Sequence, residues 1–334
     1  MYCNPRDIND ATYRYVEIIR QGLCQAGLND LGVTNNDSLA RRADILVTIS
    51  CLFAARAFLL HSRANLIHWF QGIEAIERRF IHGGLKGLIQ YLIWSAIERR
   101  LLRRARLKLF VSSEMRNFLN DVSGPRNRSI VMPCYNTSLK KTLSGRSDRY
   151  RHLNLVYAGS MSSWQCVEDV LLTFKELRNR RPEARLTLFT REIEAAREMC
   201  NAVNLSGVRI ESVSPEQLLN ALSEFSYGFI LRDHMPINEV STPTKFSTYL
   251  AAGVIPVLTT ATPALVQMLD GVPYKVITVG PNEHERVVDA LLALVVSDMS
   301  VKNVQHAFDQ VFDRYFDDDV HATRIACAVM EELC

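Results

Sequence analysis

The stretch GFILRDHMPINEVSTPTKFSTYLAAGVIPV, residues 228–257, concentrates groups suited to holding an anion. A buried apolar strand runs into Arg232, and a polar loop follows. Pro243 stands where a helix should open, with Thr242 as N-cap and Gly253 past the end. Free backbone N–H groups around Thr242–Lys245, Thr244 among them, would then lie near the cations of Lys245 and Arg232. A helix N-terminus with adjacent cations fits a diphosphate. An ordinary capped helix with surface charges has the same spacing, and the pattern alone does not separate the two. A second loop follows the run LNLVYA, where Gly159–Ser160 precede Met161-Ser162-Ser163-Trp164-Gln165. Glycine there admits close backbone approach, and the serines offer hydroxyls at another helix start. Ser214-Pro215-Glu216-Gln217 reads as a capping box that opens a helix and does no more.

In the first half of the chain, His68 ends a run Leu66–Phe70. An imidazole there, neutral or protonated, can polarise a hydroxyl or steady charge at a reacting centre, and a buried structural histidine is the competing reading. Gln71 and Gly72 follow directly, then Glu74 and Glu77. Gly72 lets the backbone turn, and the two carboxylates can bond hydroxyls. Trp69 alternates with His68 and reads as core. The segment Glu98–Lys108 (ERRLLRRARLK) sets Arg99, Arg100, Arg103, Arg104, Arg106 and Lys108 against an apolar stripe of Leu101, Leu102, Ala105 and Leu109. A basic amphipathic helix suits an anionic membrane surface or ligand, and a plain solvated helix fits equally. Asp317-Asp318-Asp319 reads as an acidic helix start that favours the dipole, so neither a metal nor a cofactor is expected.

These residues need a scaffold that places strand ends side by side. β-branched runs at Ile45–Ile49, Leu66–Phe70, Leu107–Ser112 and Ile130–Met132 alternate with helical periodicity. So do those at Leu155–Ala158, Leu186–Thr190, Val208–Ser212, Tyr227–Leu231, Ile255–Leu258 and Tyr274–Thr278. Val167, Val170, Leu171, Phe174 and Leu177 form one apolar face of the helix after Gly159. Such alternation predicts parallel sheets covered by helices, an α/β chain whose loops gather at one sheet edge. The polar stretch Ser138–Arg151 reads as a linker, dividing the chain into domains 1–145 and 146–334. A helix-like segment, Ala11–Leu28, comes before any strand and leaves the opening strand of the first domain unaccounted for.

A length of 334 residues fits two domains. The composition, 48% hydrophobic and 22% charged, excludes disordered and fibrous classes. A net charge of +3 is too weak to imply nucleic-acid binding. Eight cysteines without a CxxC pair read as reduced thiols. With no basic, apolar leader and no bilayer-length apolar run, a soluble cytoplasmic protein is expected.

YAGSMSSWQCVEDVL, RLTLFT and LR…NEVSTPTKFSTYLAAGVIPV resemble the donor-binding domain of GT-B glycosyltransferases, especially family 4. IHWFQGIEAIERR, IERRLLRRARLKLFVSSEMRNFL and IVMPCYNT are similar to the acceptor domain of its bacterial surface-polysaccharide members. The resemblance covers about residues 44–334. It implies two Rossmann-like domains facing across a cleft, the last helices crossing back to the first, and retaining, metal-independent transfer from a nucleotide-diphosphate sugar. Gly159, Ser160, Arg232, Glu239, Thr244, Lys245 and Thr248 would bind the donor. His68 would act beside the donor sugar, and Gln71, Gly72, Glu74 and Glu77 would hold a glycan or lipid-linked acceptor at the inner face of a membrane. Two departures stand out. Thr248 occupies the place of the family's second Glu, and Gln165-Cys166 replaces its Lys-Gly. They keep open a non-catalytic sugar-nucleotide-binding partner, alongside a GT-B-like sugar-nucleotide epimerase.

Overall fold

The structure, a computed structural model, describes residues 1–9, 12–60, 65–123, 128–137, 148–295 and 299–333. It divides into two units. The first comprises Met1–Asn136, Glu239–Thr242 and Asp317–Cys334, and the second Thr137–Asn238 and Pro243–Phe316. Most of the expected linker lies outside the described residues. Its end does not behave as a linker, because Arg149 and Tyr150 are buried in the second unit.

In the first unit, β1 (Ile45–Thr48), β2 (Asn65–Phe70), β3 (Leu107–Phe110) and β4 (Arg128–Val131) form a parallel sheet in that order. Ahead of them Tyr2 makes one parallel bridge to Thr34, and its N–H donates to Val47 O, so extended backbone already lies at the β1 edge. Helices Cys51–Leu60, Glu74–His82, Gly84–Arg104 and Ser113–Ser123 make the crossovers. Helix Asp318–Leu333 lies against helix Tyr13–Gln25. They approach so closely at Gly22 that a Cβ there would sit 2.7 Å from Ala322 O. All three aspartates serve that helix start. Asp317 accepts from Val320 N, Asp318 from Arg14 and the Tyr135 hydroxyl, and Asp319 from Gln21.

In the second unit, β5 (Asn154–Ala158), β6 (Arg185–Phe189), β7 (Arg209–Glu211), β8 (Tyr227–Ile230), β9 (Ile255–Thr259) and β10 (Val276–Thr278) are also all parallel. Their order is β10-β9-β8-β5-β6-β7. Most strand residues are buried on both faces, which explains runs such as LVYA and GFIL that show no polar alternation. The chain winds outward from β5 in one direction, then returns to β8 and winds in the other. The strand order therefore reverses between β5 and β8, the point in an open α/β sheet where ligands bind beyond the strand ends.

The basic helix departs from expectation. It ends at Arg104, and Ala105 turns to extended backbone. Arg106 N donates to Leu66 O, and Lys108 belongs to β3, where it is buried with its ammonium on Leu102 O. Sheet pairing takes over where the arginine-rich pattern still reads as helix, leaving Arg99, Arg100, Arg103 and Arg104 as its cations.

Candidate functional site

The residues expected to hold an anion follow β5 and β8 in the second unit. Arg232 lies two residues past β8 and is buried. Its backbone N–H donates to Thr259 Oγ1 at 3.2 Å, while its guanidinium donates to Leu231 O at 3.1 Å. Lys245 opens helix Lys245–Ala251. Its ammonium donates to Gln165 Oε1 at 2.8 Å and sits 4.2 Å from the centre of the Tyr157 ring. Burial foremost, and then the Arg232 charge, hold the Lys245 pKa well below the usual lysine range. Burial also lowers that of Arg232. No carboxylate among the described residues pairs with either cation. Lys245 feels the Arg232 charge, both groups are desolvated, and an anion beside them would favour the charged form of each.

Gly159, directly after β5, has φ +153°, and a Cβ there would lie 2.7 Å from Lys245 Nζ. A side chain would displace the ammonium, so the position requires glycine. Around it, the Tyr157 hydroxyl donates to Ser160 O at 2.5 Å, and the Ser160 hydroxyl bonds that of Ser162 at 3.0 Å. The Tyr249 hydroxyl accepts from Ala158 N at 2.9 Å. Gly159, Ser160, Arg232 and Lys245 thus gather at the β5–β8 reversal, as the spacing anticipated. Tyr157, Tyr249 and the holding role of Gln165 were not legible, since aromatics inside apolar strands and helices read as core. Cys166, in the glycine position of the resemblance, adopts φ 49°.

The N-cap expectation needs correction. Helix Lys245–Ala251 has Thr244 as its N-cap without a side-chain capping bond. The Thr242 hydroxyl instead accepts from Cys134 N at 2.9 Å within the first unit, which uses the group a cap would need. Glu239 ends the short helix Pro236–Glu239 and is assigned to the first unit. Thr248 is buried, with its hydroxyl turned back to Thr244 O at 3.1 Å, so it presents no carboxylate.

In the first unit, His68, Gln71, Gly72, Glu74 and Glu77 line one cavity of about 750 Å³. Thr48, His68, Lys108 and Ser129 are aligned partners across the four strands. The pairing places His68 Nδ1 2.7 Å from Thr48 Oγ1. Burial pushes the His68 pKa down to about 3, so the imidazole is neutral near pH 7 and the protonated role falls away. His68 is buried, and Thr48 engages its Nδ1 and not its Nε2. Glu74 accepts from Cys51 N at 2.7 Å, at the start of helix Cys51–Leu60. Glu98 accepts from Ala75 N at 3.1 Å, and burial pushes its carboxyl up to about 7. Burial, with Glu74 beside it, also raises Glu77. Trp69 is core, stacked on Tyr15 with centroids 3.8 Å apart. Glu98 directly precedes a run of arginines and so reads as surface, which hid its burial.

No group of three or more His, Cys, Asp or Glu that could hold a metal occurs among the described residues. Nor is any helix among them long and apolar enough to cross a membrane.

Comparison with protein-family models finds no match, and neither does comparison with curated proteins. Solved structures do match. A point mutant of S. aureus TarM, in complex with Fondaparinux, alpha-GlcNAc-glycerol and UDP, is similar at TM-score 0.67 and 8% identity. The match covers 88% of this chain and 59% of that one. Sucrose-phosphate synthase from Thermosynechococcus elongatus gives TM-score 0.68 and 12% identity, over 99% of this chain and 80% of that one. The trehalose-6-phosphate synthase OtsA gives 0.62 and 11%, over 99% and 85%. The chain therefore spans under two thirds of TarM and most of the two synthases. The fold is that of the GT-B glycosyltransferases, with two parallel-sheet Rossmann-like units.

Proposed function

We propose that the protein is a glycosyltransferase that moves a hexosyl group from a nucleotide-diphosphate sugar to an acceptor hydroxyl. The observation that carries this reading is the pair Arg232 and Lys245, buried cations without a carboxylate at the β5–β8 reversal. Charge develops on the leaving diphosphate as the glycosidic bond breaks. Fixed cations in a water-poor site stabilise that charge with little reorganisation. UDP in the similar TarM complex supports a diphosphate donor. Gln165 steers the Lys245 ammonium, and the glycine at 159 leaves it room. The cavity beneath His68 is the acceptor side in this reading. There the neutral imidazole orients a hydroxyl through Nε2, and Gln71, Glu74 and Glu77 supply further acceptors. Membership of family 4, retention of configuration, a lipid-linked acceptor and a role in surface-polysaccharide synthesis belong to the same proposal.

Thr248 favours a second reading. Its back-bonded hydroxyl leaves the ribose without the expected carboxylate, as in a sugar-nucleotide-binding partner without turnover. Incubation with a panel of nucleotide sugars and glycan or lipid-linked acceptors, followed by mass spectrometry, separates the two. Acceptor mass increased by one hexosyl unit supports transfer. Nucleotide binding without any product supports the second reading, and donor isomerisation without acceptor would mean an epimerase.

A further inference from the structure

Helix Gly84–Arg104 presents an apolar surface on its outward side. Gly87, Trp94, Glu98, Leu101 and Leu102 face the unit's interior. The opposite stripe carries Leu85, Leu88, Ile89, Leu92 and Ile93, whose exposures run from 39% to 73%. At 100° per residue these side chains fall on one face, and Arg99, Arg100 and Arg103 continue that face toward the C-terminal end. A solvated helix would carry polar residues there. The preceding helix adds exposed Phe80 and Ile81. All the exposed charged side chains from Glu74 to Arg104 are basic: Arg79, Lys86, Arg99, Arg100, Arg103 and Arg104, with His82 beside them. The acids of this stretch, Glu74, Glu77 and Glu98, are not exposed, and Glu74 and Glu98 accept from helix-start N–H groups.

We propose that this helical hairpin docks on the surface of an anionic lipid bilayer. Leucine and isoleucine side chains enter the boundary between headgroups and acyl chains, and the arginines meet the anionic headgroups. An apolar stripe that runs into an all-cationic end complements such a surface in both respects. A second copy pairing through this same surface would bring only further cations to the stripe's basic end. The inference rests on the proposed lipid-linked acceptor for its purpose, while its evidence is the surface itself. It also replaces the contact expected at Arg99–Lys108, because Lys108 is buried in β3.

Flotation with phosphatidylcholine vesicles, with and without phosphatidylglycerol, tests it on the full chain. Binding is expected on the anionic vesicles and should weaken with salt. Leu92→Ser with Ile93→Ser should reduce it by about tenfold or more at any salt concentration. Arg99→Gln, Arg100→Gln and Arg103→Gln together should reduce it about a hundredfold at low salt and little at high salt. Unchanged melting curves should accompany both sets, since the altered side chains are exposed. Wild-type binding by the Leu92/Ile93 variant would overturn the proposal. So would a wild-type dimer that ignores vesicles and dissociates on the same substitutions. Neither result depends on donor binding, so failure here leaves the transferase reading to its own test.

Discussion

His68 and Glu98 are buried in the same unit and titrate in opposite senses. His68, with its pKa near 3 in the fold against an ordinary 6.5, stays neutral while the unfolded chain takes up a proton. Its contribution is complete above pH 6.5 and is lost, at ~1.4 kcal/mol per pH unit, as the pH falls toward 3. Glu98, pushed from 4.5 to about 7, keeps a proton that the unfolded chain releases. Its contribution is complete below pH 4.5 and is lost as the pH rises to 7. Between pH 4.5 and 6.5 the two slopes oppose each other. Urea unfolding across that window should show wild type gaining on His68→Gln as the pH rises, and losing against Glu98→Gln. Parallel profiles would mean that neither side chain carries the assigned charge state.

At the scale of elements, all ten strand runs were legible, because most of these strands are buried on both faces and spell continuous β-branched and aromatic stretches, while β4 and β7 are short and only partly covered. The ends were not. Lys108 sits in β3 although the arginine run before it reads as helix, and sheet pairing decides that residue. The start of helix Lys245–Ala251 shifted because the Thr242 hydroxyl is taken by Cys134 N. Arg149 is the plainest case. Within a polar, aperiodic segment it reads as linker, yet its guanidinium donates to Ala252 O at 2.8 Å and to Phe225 O. It thereby ties the ends of several loops together, a role that no local pattern announces. Arg149→Met would leave buried carbonyls without donors and should lower the unfolding free energy by about 3 kcal/mol. Urea denaturation checks this, and a loss of under about 1 kcal/mol would mean that water replaces the guanidinium.

For the molecule as a whole, fold and candidate sites were legible to different depths. Strand–helix alternation prescribes parallel sheets, so the loops of Gly159 and Arg232 were expected at one sheet edge. The reversal between β5 and β8 that sets them side by side shows only in the strand order. Pairwise contacts were beyond reach. The Gln165 amide beneath the Lys245 ammonium joins residues 80 apart in sequence, and the Tyr157 ring beside it looks like any buried strand aromatic. The stripe proposed to dock on lipid was half seen, its arginines from composition and its leucines only once their exposure was known. Charge thus sits in two different settings, buried and unpaired at the β5–β8 reversal, exposed and all of one sign on the helical hairpin. The first setting is a ligand site in this account, and the second a docking surface.

The central claim is that Lys245 and Arg232 hold a diphosphate. Isothermal titration of UDP, GDP and ADP into wild type and Lys245→Met, with melting curves of both proteins without nucleotide, tests it most directly. A charge-assisted contact of about 1.5–3 kcal/mol, at ~1.4 kcal/mol per decade, predicts that the best-bound nucleotide weakens by one to two decades. Methionine fills the same space without the desolvated charge that faces Arg232, so the melting temperature without nucleotide should hold or rise. Wild-type affinity in Lys245→Met would place the diphosphate elsewhere and contradict the account.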